Sequence, residues 1–495
     1  MRAASIASLI LALVAASVAG CTVGPNFRPP TPDLPAAWSA SAATSSGQPS
    51  QVTAAPADAG AAAWWTGFND PELNSLVARV AAANLDAKEA LLRIAEARAQ
   101  RDVAAADEWP AVNANASAQV NRLSESTPTG ALFSKVGQFP GLSGVSIPNP
   151  YDQYQVGFDA SWEIDLFGRV RRSVEAARAE TQASVEDSRA VLISTLGEVG
   201  RAYIDLRGAQ AKRRVVEQNI ATERDLLDLA GQRRRAGLST EIDVARAAAE
   251  ASSSAAQLPL LDRQITADIN QLSKLMDLEP GALRGELDTP RATPADPPIV
   301  PIGLPADLAR RRPDIREAEA RLHAATAQVG VAVADLYPRV TLNANGGLQA
   351  ETVSLLSSWA SRFLVAGPSV ELPIFDAGRR RATVRLQSVR AGEAVLDYRR
   401  TVLGALHEVD DALAAYGADQ LRQRALAETV ARNQDAVDLA RQRYASGVAS
   451  FIDVLDAERN LEQDQLTLTE STTSVSIDLV VLYKALGGGW TATGG

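Results

Sequence analysis

The stretch that decides the fold is Gln153–Ile164, QYQVGFDASWEI. Its even positions are Tyr154, Val156, Phe158, Ala160, Trp162 and Ile164, and its odd positions are Gln153, Gln155, Gly157, Asp159, Ser161 and Glu163. Successive side chains of a strand point to opposite faces, so this period of two gathers every apolar group on one side. The same register runs through Ala111–Asn121, where Val112, Ala114, Ala116, Ala118 and Val120 alternate with Asn113, Asn115, Ser117, Gln119 and Asn121. It returns in Val340, Leu342, Ala344 and Leu348, and again in Leu364, Ala366, Val370 and Leu372. Four segments of roughly ten residues, greasy on one face and polar on the other, have the length and pattern of membrane β-barrel strands.

Outward from these segments the chain repeats itself. Asp86–Val112 aligns with Asp314–Val340 at a constant offset of 228 residues. Both stretches carry an Ala-Gln pair (Ala99-Gln100, Ala327-Gln328) and both end on an aromatic before proline (Trp109-Pro110, Tyr337-Pro338). Self-similarity at such a spacing marks two copies of one structural unit. Each copy reads as helix, strand pair, very long helix, tight turn and helix. The expected strands are 111–122, 153–164, 339–350 and 363–374; the expected helices are 171–236, 240–279, 305–336, 379–446 and 450–486. Repeat 1 thus covers 64–298 and repeat 2 covers 299–495, which makes the chain a mixed α/β membrane protein.

The long helices carry an a/d seam. Leu192, Leu196, Val199, Tyr203 and Leu206 are spaced 4, 3, 4, 3, and so are Val402, Leu406, Val409, Leu413 and Tyr416. That spacing packs helices side by side in coiled-coil fashion. A continuous helix over 171–236 would be about 100 Å long at roughly 1.5 Å per residue. Both end in the same way. Gly237 and Gly447 suit a left-handed residue after a helix. Thr240 and Ser450 suit N-caps, with Asp243 and Asp453 three residues on as a near capping box. The tips of two helix hairpins therefore lie at Gly237, Leu238, Ser239 and Thr240 and at Gly447, Val448, Ala449 and Ser450.

Composition narrows the possibilities. The net charge is −10, which argues against nucleic acid as a partner. Two His, one Cys and two Met in 495 residues leave little for metal or redox chemistry. His323 and His407 fall in separate helices, Met276 has no second Met near it, and Gly487–Gly489 opens no helix after a strand. No Ser/His/Asp or Cys/His set is evident, so an enzyme is not expected, nor any cofactor or metal site. Trp109, Trp162, Tyr337 and Trp359 sit at strand ends, where interfacial aromatics belong. Residues 1–20 read as an export signal peptide. Val18-Ala19-Gly20-Cys21 resembles a bacterial lipobox, which makes Cys21 the expected lipidated residue. Ser39–Ala63, rich in Ala, Ser, Gly and Pro, reads as flexible, and residues 21–63 together then read as a lipid-anchored N-terminal tether.

Four strands cannot close a barrel, and an open sheet edge is not viable in lipid. Several copies must therefore combine. Two copies would give eight strands and a filled interior, whereas three would give twelve and a lumen.

At this point the residues match a family. CTVGPNFRPP at Cys21, WWTGFNDPEL at Trp64, WEIDLFGR at Trp162, RRRPDIREAEARL at Arg310, GPSVELPIFDAGRR at Gly367, RYASGVASFIDVLDAERN at Arg443 and LYKALGGGW at Leu482 resemble the outer-membrane channel lipoproteins of tripartite efflux systems, the TolC/OprM group and its NodT branch. The resemblance implies a TolC-like homotrimer, with a twelve-stranded barrel in outer-membrane lipid and a periplasmic helical barrel. It also implies a periplasmic adaptor docking at the hairpin tips and an inner-membrane RND-type pump. The family's periplasmic gate carries over to Tyr444, Ile452, Asp456 and Arg459, with Ile452 where Leu is common. Three copies of Asp456 near an axis would make an anionic ring; the plainer reading is an i, i+3 pair of Asp456 with Arg459. The expected function is a passive exit duct for small toxic molecules such as drugs or metal ions. A protein-secretion duct of type I and a lipid-anchored periplasmic scaffold are the competing readings.

Overall fold

The computed structural model describes residues 22–31, 34–39, 51–53, 63–136, 139, 141, 144 and 148–489. Cys21 and the signal sequence lie outside them. In chain order the elements are β1 (Gln51–Thr53), α1 (Pro71–Ala83), α2 (Leu85–Ala106), β2 (Ala111–Asn121), α3 (Pro128–Ser134), β3 (Tyr151–Ile164), α4 (Arg169–Arg235), α5 (Glu241–Ala255), α6 (Leu258–Leu275), α7 (Arg284–Leu287), β4 (Ile299–Pro301), α8 (Pro305–Arg311), α9 (Pro313–Ala334), β5 (Arg339–Ala350), β6 (Arg362–Glu371), α10 (Arg379–Ala445) and α11 (Phe451–Ala485). The chain divides into two compact units.

One unit comprises the described residues of Met1–Arg28, Glu96–Thr181 and Arg321–Ala394. Its centre is a four-stranded antiparallel sheet in the order β2-β3-β5-β6. The ladders oppose Ala114 to Phe158, Phe158 to Gly346 and Gly346 to Leu364. Opposed residues of an antiparallel pair share a face, so one apolar face runs unbroken over all four strands. It faces no core: Val112, Val120, Phe158, Leu364 and Val370 are 64–77% exposed. The other face is polar, and Asn113 Nδ2 and Asn115 Nδ2 donate to the two Asp159 carboxylate oxygens at 3.0 and 2.9 Å. Among the described residues β2 and β6 each pair on one side only. Trp109 and Trp359 at the strand ends are exposed. Arg362 lies over the Trp359 ring, 3.3 Å from its centroid. Among the described residues no helix is long and apolar enough to cross a membrane.

The described beginning of the chain is not a free tether here. Val23 N donates to Phe167 O at 3.1 Å, Arg172 Nη2 donates to Asn26 Oδ1 at 2.5 Å, and the Phe27 ring stacks on His323 at 4.4 Å. His323 Nε2 in turn lies 2.9 Å from Glu175 Oε1. A guanidinium and a ring stack give this segment fixed partners that its composition does not announce.

The other unit comprises the described residues of Pro29–Ala95, Gln182–Ala320 and Val395–Gly495. The a/d seams lie in its core: Leu196, Val199, Tyr203 and Leu206 are buried with Val402, Val409, Leu413 and Tyr416. Leu192 and Leu406 pack at the margin of that core. Gly200 and Gly208 serve close packing, because a Cβ there would lie 2.5 Å from Trp64 Cη2 and from Thr473 Oγ1 respectively. Two expected helices are interrupted. The one expected over 240–279 breaks at Ala256–Gln257, just before Pro259 enters the first turn of α6. The one expected over 305–336 breaks at Arg312, whose ψ of 120° is extended because Pro313 follows. Described stretches within 21–63 have partners in this unit as well. β1 pairs in parallel with β4, and the buried Trp38 indole N–H donates to Gly303 O at 3.1 Å.

Candidate functional site

Both long helices, 67 residues each, end in the same hydrogen-bonded turn. Gly237 N donates to Arg234 O and Leu238 N to Arg233 O; in the second copy Gly447 N donates to Tyr444 O and Val448 N to Arg443 O. This is the Schellman pattern, and it needs a left-handed residue at its bend. Gly237 has φ +75° and Gly447 has φ +79°. The next helices start on reciprocal caps: Thr240 N donates to Asp243 Oδ2 at 3.0 Å, and Ser450 N to Asp453 Oδ2 at 2.8 Å. Bonds from Thr240 and Ser239 outweigh partial burial and hold the Asp243 carboxyl below its usual range. Ser239 Oγ reaches the same oxygen at 3.1 Å, and Ala449 N adds a bond to Arg443 O at 3.2 Å. Between these anchors Leu238 and Val448 are each 69% exposed. Two rigid turns thus present one uncovered aliphatic side chain apiece.

Behind the turns lies a small core of Leu226, Ala230, Ala247, Tyr444, Phe451, Val454 and Leu455, with Ile452 half-buried against it. It joins the first hairpin (α4, α5) to the second (α10, α11). Tyr444 is buried, its ring 5.6 Å from that of Phe451. The Arg233 guanidinium covers the Tyr444 ring at 4.3 Å and its Nη1 donates to Tyr444 O at 2.8 Å.

The four residues expected to form a gate do not form one patch within the chain. Tyr444 belongs to the core, Ile452 to its margin, and Asp456 is exposed. The i, i+3 pairing of Asp456 with Arg459 is not the observed one. Arg459 instead turns to the other hairpin, where Nε donates to Glu250 Oε2 at 2.8 Å and Nη2 bonds the same oxygen. A half-buried carboxylate on α5 offers a charge-assisted bond with less solvent competition than exposed Asp456. Arg459→Ala is expected to raise amide hydrogen exchange in α5 by roughly two- to fivefold. Exchange mass spectrometry on this variant, on Glu250→Ala and on the double variant checks it, the double being no faster than either single.

The sequence reading missed what lies one turn farther along. Glu223 of α4, Glu250 of α5 and Glu462 of α11 bring carboxylate oxygens within 4.8 Å of one another. Ser254 Oγ donates to Glu223 Oε1 at 2.7 Å. Burial first, and the Glu223 carboxylate second, push Glu462 up to about 8. Burial also raises Glu223 and raises Glu458, against the pull of Arg441 at 2.5 Å. Beside the cluster is a cavity of about 180 Å³ lined in part by Asn219, Ser253, Gln257 and Gln463. The sequence suggests no metal site because His and Cys stand nowhere at ligand spacing in it. Three carboxylates from three helices leave no such spacing; only Glu458 and Glu462, four apart on one helix, hint at an acidic face.

A second site missed in the sequence is the buried pair of Arg207 and Glu72. Arg207 Nη2 donates to Glu72 Oε2 at 2.8 Å, and Nη1 to Gln210 Oε1 at 2.7 Å and Thr289 O at 3.0 Å. Arg291 adds a second guanidinium to Glu72 Oε2 at 2.8 Å. Next to it Tyr203 Oη donates to Asp70 Oδ2 at 2.8 Å, and Asp70 Oδ1 caps α1 by accepting from Glu72 N and Leu73 N.

Comparison with known proteins agrees with this architecture. The family model described as outer membrane efflux protein matches residues 76–277 and 304–488. The probable efflux pump outer membrane protein TtgC of Pseudomonas putida strain KT2440 is 32% identical over 484 residues, covering 97% of this chain and 95% of its own. Nodulation protein T of Rhizobium leguminosarum bv. trifolii is 31% identical over 478 residues, covering 96% and 95%. The solved structure of the outer-membrane channel OprN superposes with a TM-score of 0.84 at 35% identity, over 95% of this chain and 100% of that one.

Proposed function

The chain belongs to the outer membrane efflux protein family and is an outer-membrane efflux duct extending into the periplasm, and from that premise we propose that three copies close into one conduit. The observation that carries this reading is the sheet with a continuous uncovered apolar face and, among the described residues, two unpaired edges. In water that face would expose a large greasy patch; in lipid the edges would leave backbone groups without partners. Both problems are solved when β2 of one copy pairs with β6 of the next. Twelve strands then surround a polar lumen, whereas eight would be filled by side chains. The long helices of both repeats line the periplasmic part of the duct. Cross-linking of the purified protein is expected to stop at trimers, and planar bilayers are expected to show a water-filled conductance.

The duct performs no chemistry. It passes small toxic molecules, drugs or metal ions, delivered by an inner-membrane pump through a periplasmic adaptor. The turns at Gly237–Thr240 and Gly447–Ser450 are the docking surface, with Leu238 and Val448 as apolar contacts for the adaptor. Lipidation of Cys21 anchors the chain. Its neighbour Thr22 lies against Gly168, just past the end of β3, a place that suits acyl chains entering the membrane beside the barrel. The gate is the level of the hairpins carrying Ile452 and Asp456, with Tyr444 and Arg459 holding the helices that present them. Exposed Asp456 repeated about an axis would favour cations and narrow the passage. Asp456→Ala is therefore expected to raise single-channel conductance in planar bilayers; an unchanged conductance would remove Asp456 from the gate.

A further inference from the structure

Glu223, Glu250 and Glu462 come from three helices of both hairpins, and their carboxylate oxygens lie within 4.8 Å of one another. Glu223 is 3% exposed, and its Oε2 is buried without a hydrogen-bond partner; Glu462 Oε1 is in the same state. Both Arg459 contacts fall on Glu250 Oε2, which leaves Glu250 Oε1 for another partner. We propose that this cluster is a divalent-cation site of the hard, oxygen-preferring class typified by calcium, ligated by Glu223, Glu250 and Glu462.

The geometry fits that class. Calcium binds oxygen at about 2.4 Å, so two ligands on opposite sides of the ion stand about 4.8 Å apart. The spread of the three carboxylates lies within that reach. Magnesium needs a tighter, near-octahedral shell and would keep more of its water. The adjoining cavity of about 180 Å³ has room for waters to complete the shell, with Asn219, Ser253 and Gln257 on its polar wall. The donor set holds no sulfur or imidazole, which disfavours zinc and copper. The charges also balance, since two positive charges on the ion and one on Arg459 meet three carboxylates. Other charged groups facing the cluster are Glu458, already paired with Arg441, and Asp438, which Glu458 senses. The Glu223 and Glu462 carboxylate oxygens lie within 4.8 Å of each other, so a proton shared between them is the competitor for the ion.

A bound cation would bolt α4 and α5 to α11 and hold the two hairpins together. That consequence rests on the gate reading above; the binding itself does not. The test is isothermal titration of calcium chloride into the detergent-purified full chain, stripped with chelator, at pH 7.5. Wild type is expected to take up one calcium per protomer with a Kd of about 10⁻⁴ M. Glu223→Gln and Glu462→Gln, which keep shape and remove repulsion, are expected to weaken this at least tenfold, while Glu279→Gln, exposed and remote in sequence, changes nothing. Thermal unfolding followed in parallel is expected to move up with calcium in wild type and Glu279→Gln but not in Glu223→Gln or Glu462→Gln. The proposal is overturned if wild type shows no saturable binding, or if the Gln variants bind as well as wild type. It is also overturned if Glu462→Gln raises the unfolding temperature while calcium leaves wild type unmoved, which is the signature of a shared proton. A wild type that conducts ions yet binds no calcium ends this proposal and leaves the duct standing; one that binds calcium yet never conducts does the reverse.

Discussion

Gly347→Val is expected to leave almost no assembled duct in the outer membrane. Gly347 and Gly157 are directly opposed in the β3–β5 ladder. A Cβ at Gly347 would lie 2.3 Å from Val156 O and 2.5 Å from Gly157 Cα, and one at Gly157 would lie 2.7 Å from Gly346 O. Every one of these neighbours is backbone, so no rotamer change relieves the clash and the strands must part. Among the described residues this ladder is the only strand pairing that joins the strand pairs of the two repeats. A sheet parted there exposes unpaired N–H and C=O groups in hydrocarbon, and assembled protein should fall by at least about tenfold. Gly367→Val supplies the control. It sits in β6 with nothing within 4 Å of an added Cβ, and it is expected to assemble. The measurement is the amount of cross-linked oligomer in outer-membrane fractions; normal assembly of Gly347→Val would show the opposed glycines to be dispensable.

The second large effect belongs to Arg207. Its side chain is fully buried and bonds Glu72, Gln210 and Thr289 while covering the Tyr203 ring at 4.9 Å. Arg207→Met keeps the length but leaves Glu72 buried with only half-exposed Arg291 for a partner. Removing one member of a buried ion pair costs about 3–5 kcal/mol, chiefly because the other charge is stranded. For a helical body of this size that is a fall of roughly 5–8 °C in the midpoint of thermal unfolding. Circular dichroism of the variant in detergent reads it directly. Adding Glu72→Met to Arg207→Met should recover most of the loss, since the stranded charge is then gone. A double variant less stable than the single would mean the ion pair itself, rather than its disruption, governs the stability.

How far the fold was legible depends on the range of the interactions involved. The register of the sheet could be read in the bare alternation of Gln153–Ile164 and its three counterparts, because one buried or lipid-facing side imposes period two. The hairpin turns were legible in Gly237 and Gly447, since only a left-handed residue closes that hydrogen-bond pattern. The seam of Leu196, Val199, Tyr203 and Leu206 was legible because its partner surface repeats at the same interval. The breaks before Pro259 and Pro313 are marked by proline, but the helical pattern on both sides of each hides them in the sequence. What could not be read was set by the meeting of distant helices. Arg459 has an acid three positions away in sequence and chooses Glu250 on another helix. Glu223, Glu250 and Glu462 share no local pattern, and nothing near Arg207 points to Glu72. The N-terminal segment looks like filler by composition, and its seat comes from partners far along the chain: Phe167, Arg172 and His323 for its first residues and Gly303 for Trp38.

The two unpaired borders of the sheet, β2 and β6, belong to different halves of the chain. In the proposed ring no copy can finish itself, and each border is completed by the unlike border of a neighbour. Faulty subunits would then not merely dilute sound ones. One damaged member spoils the whole assembly in which it sits, so a gene copy lacking a usable border should act as a dominant poison in a cell that also carries an intact one.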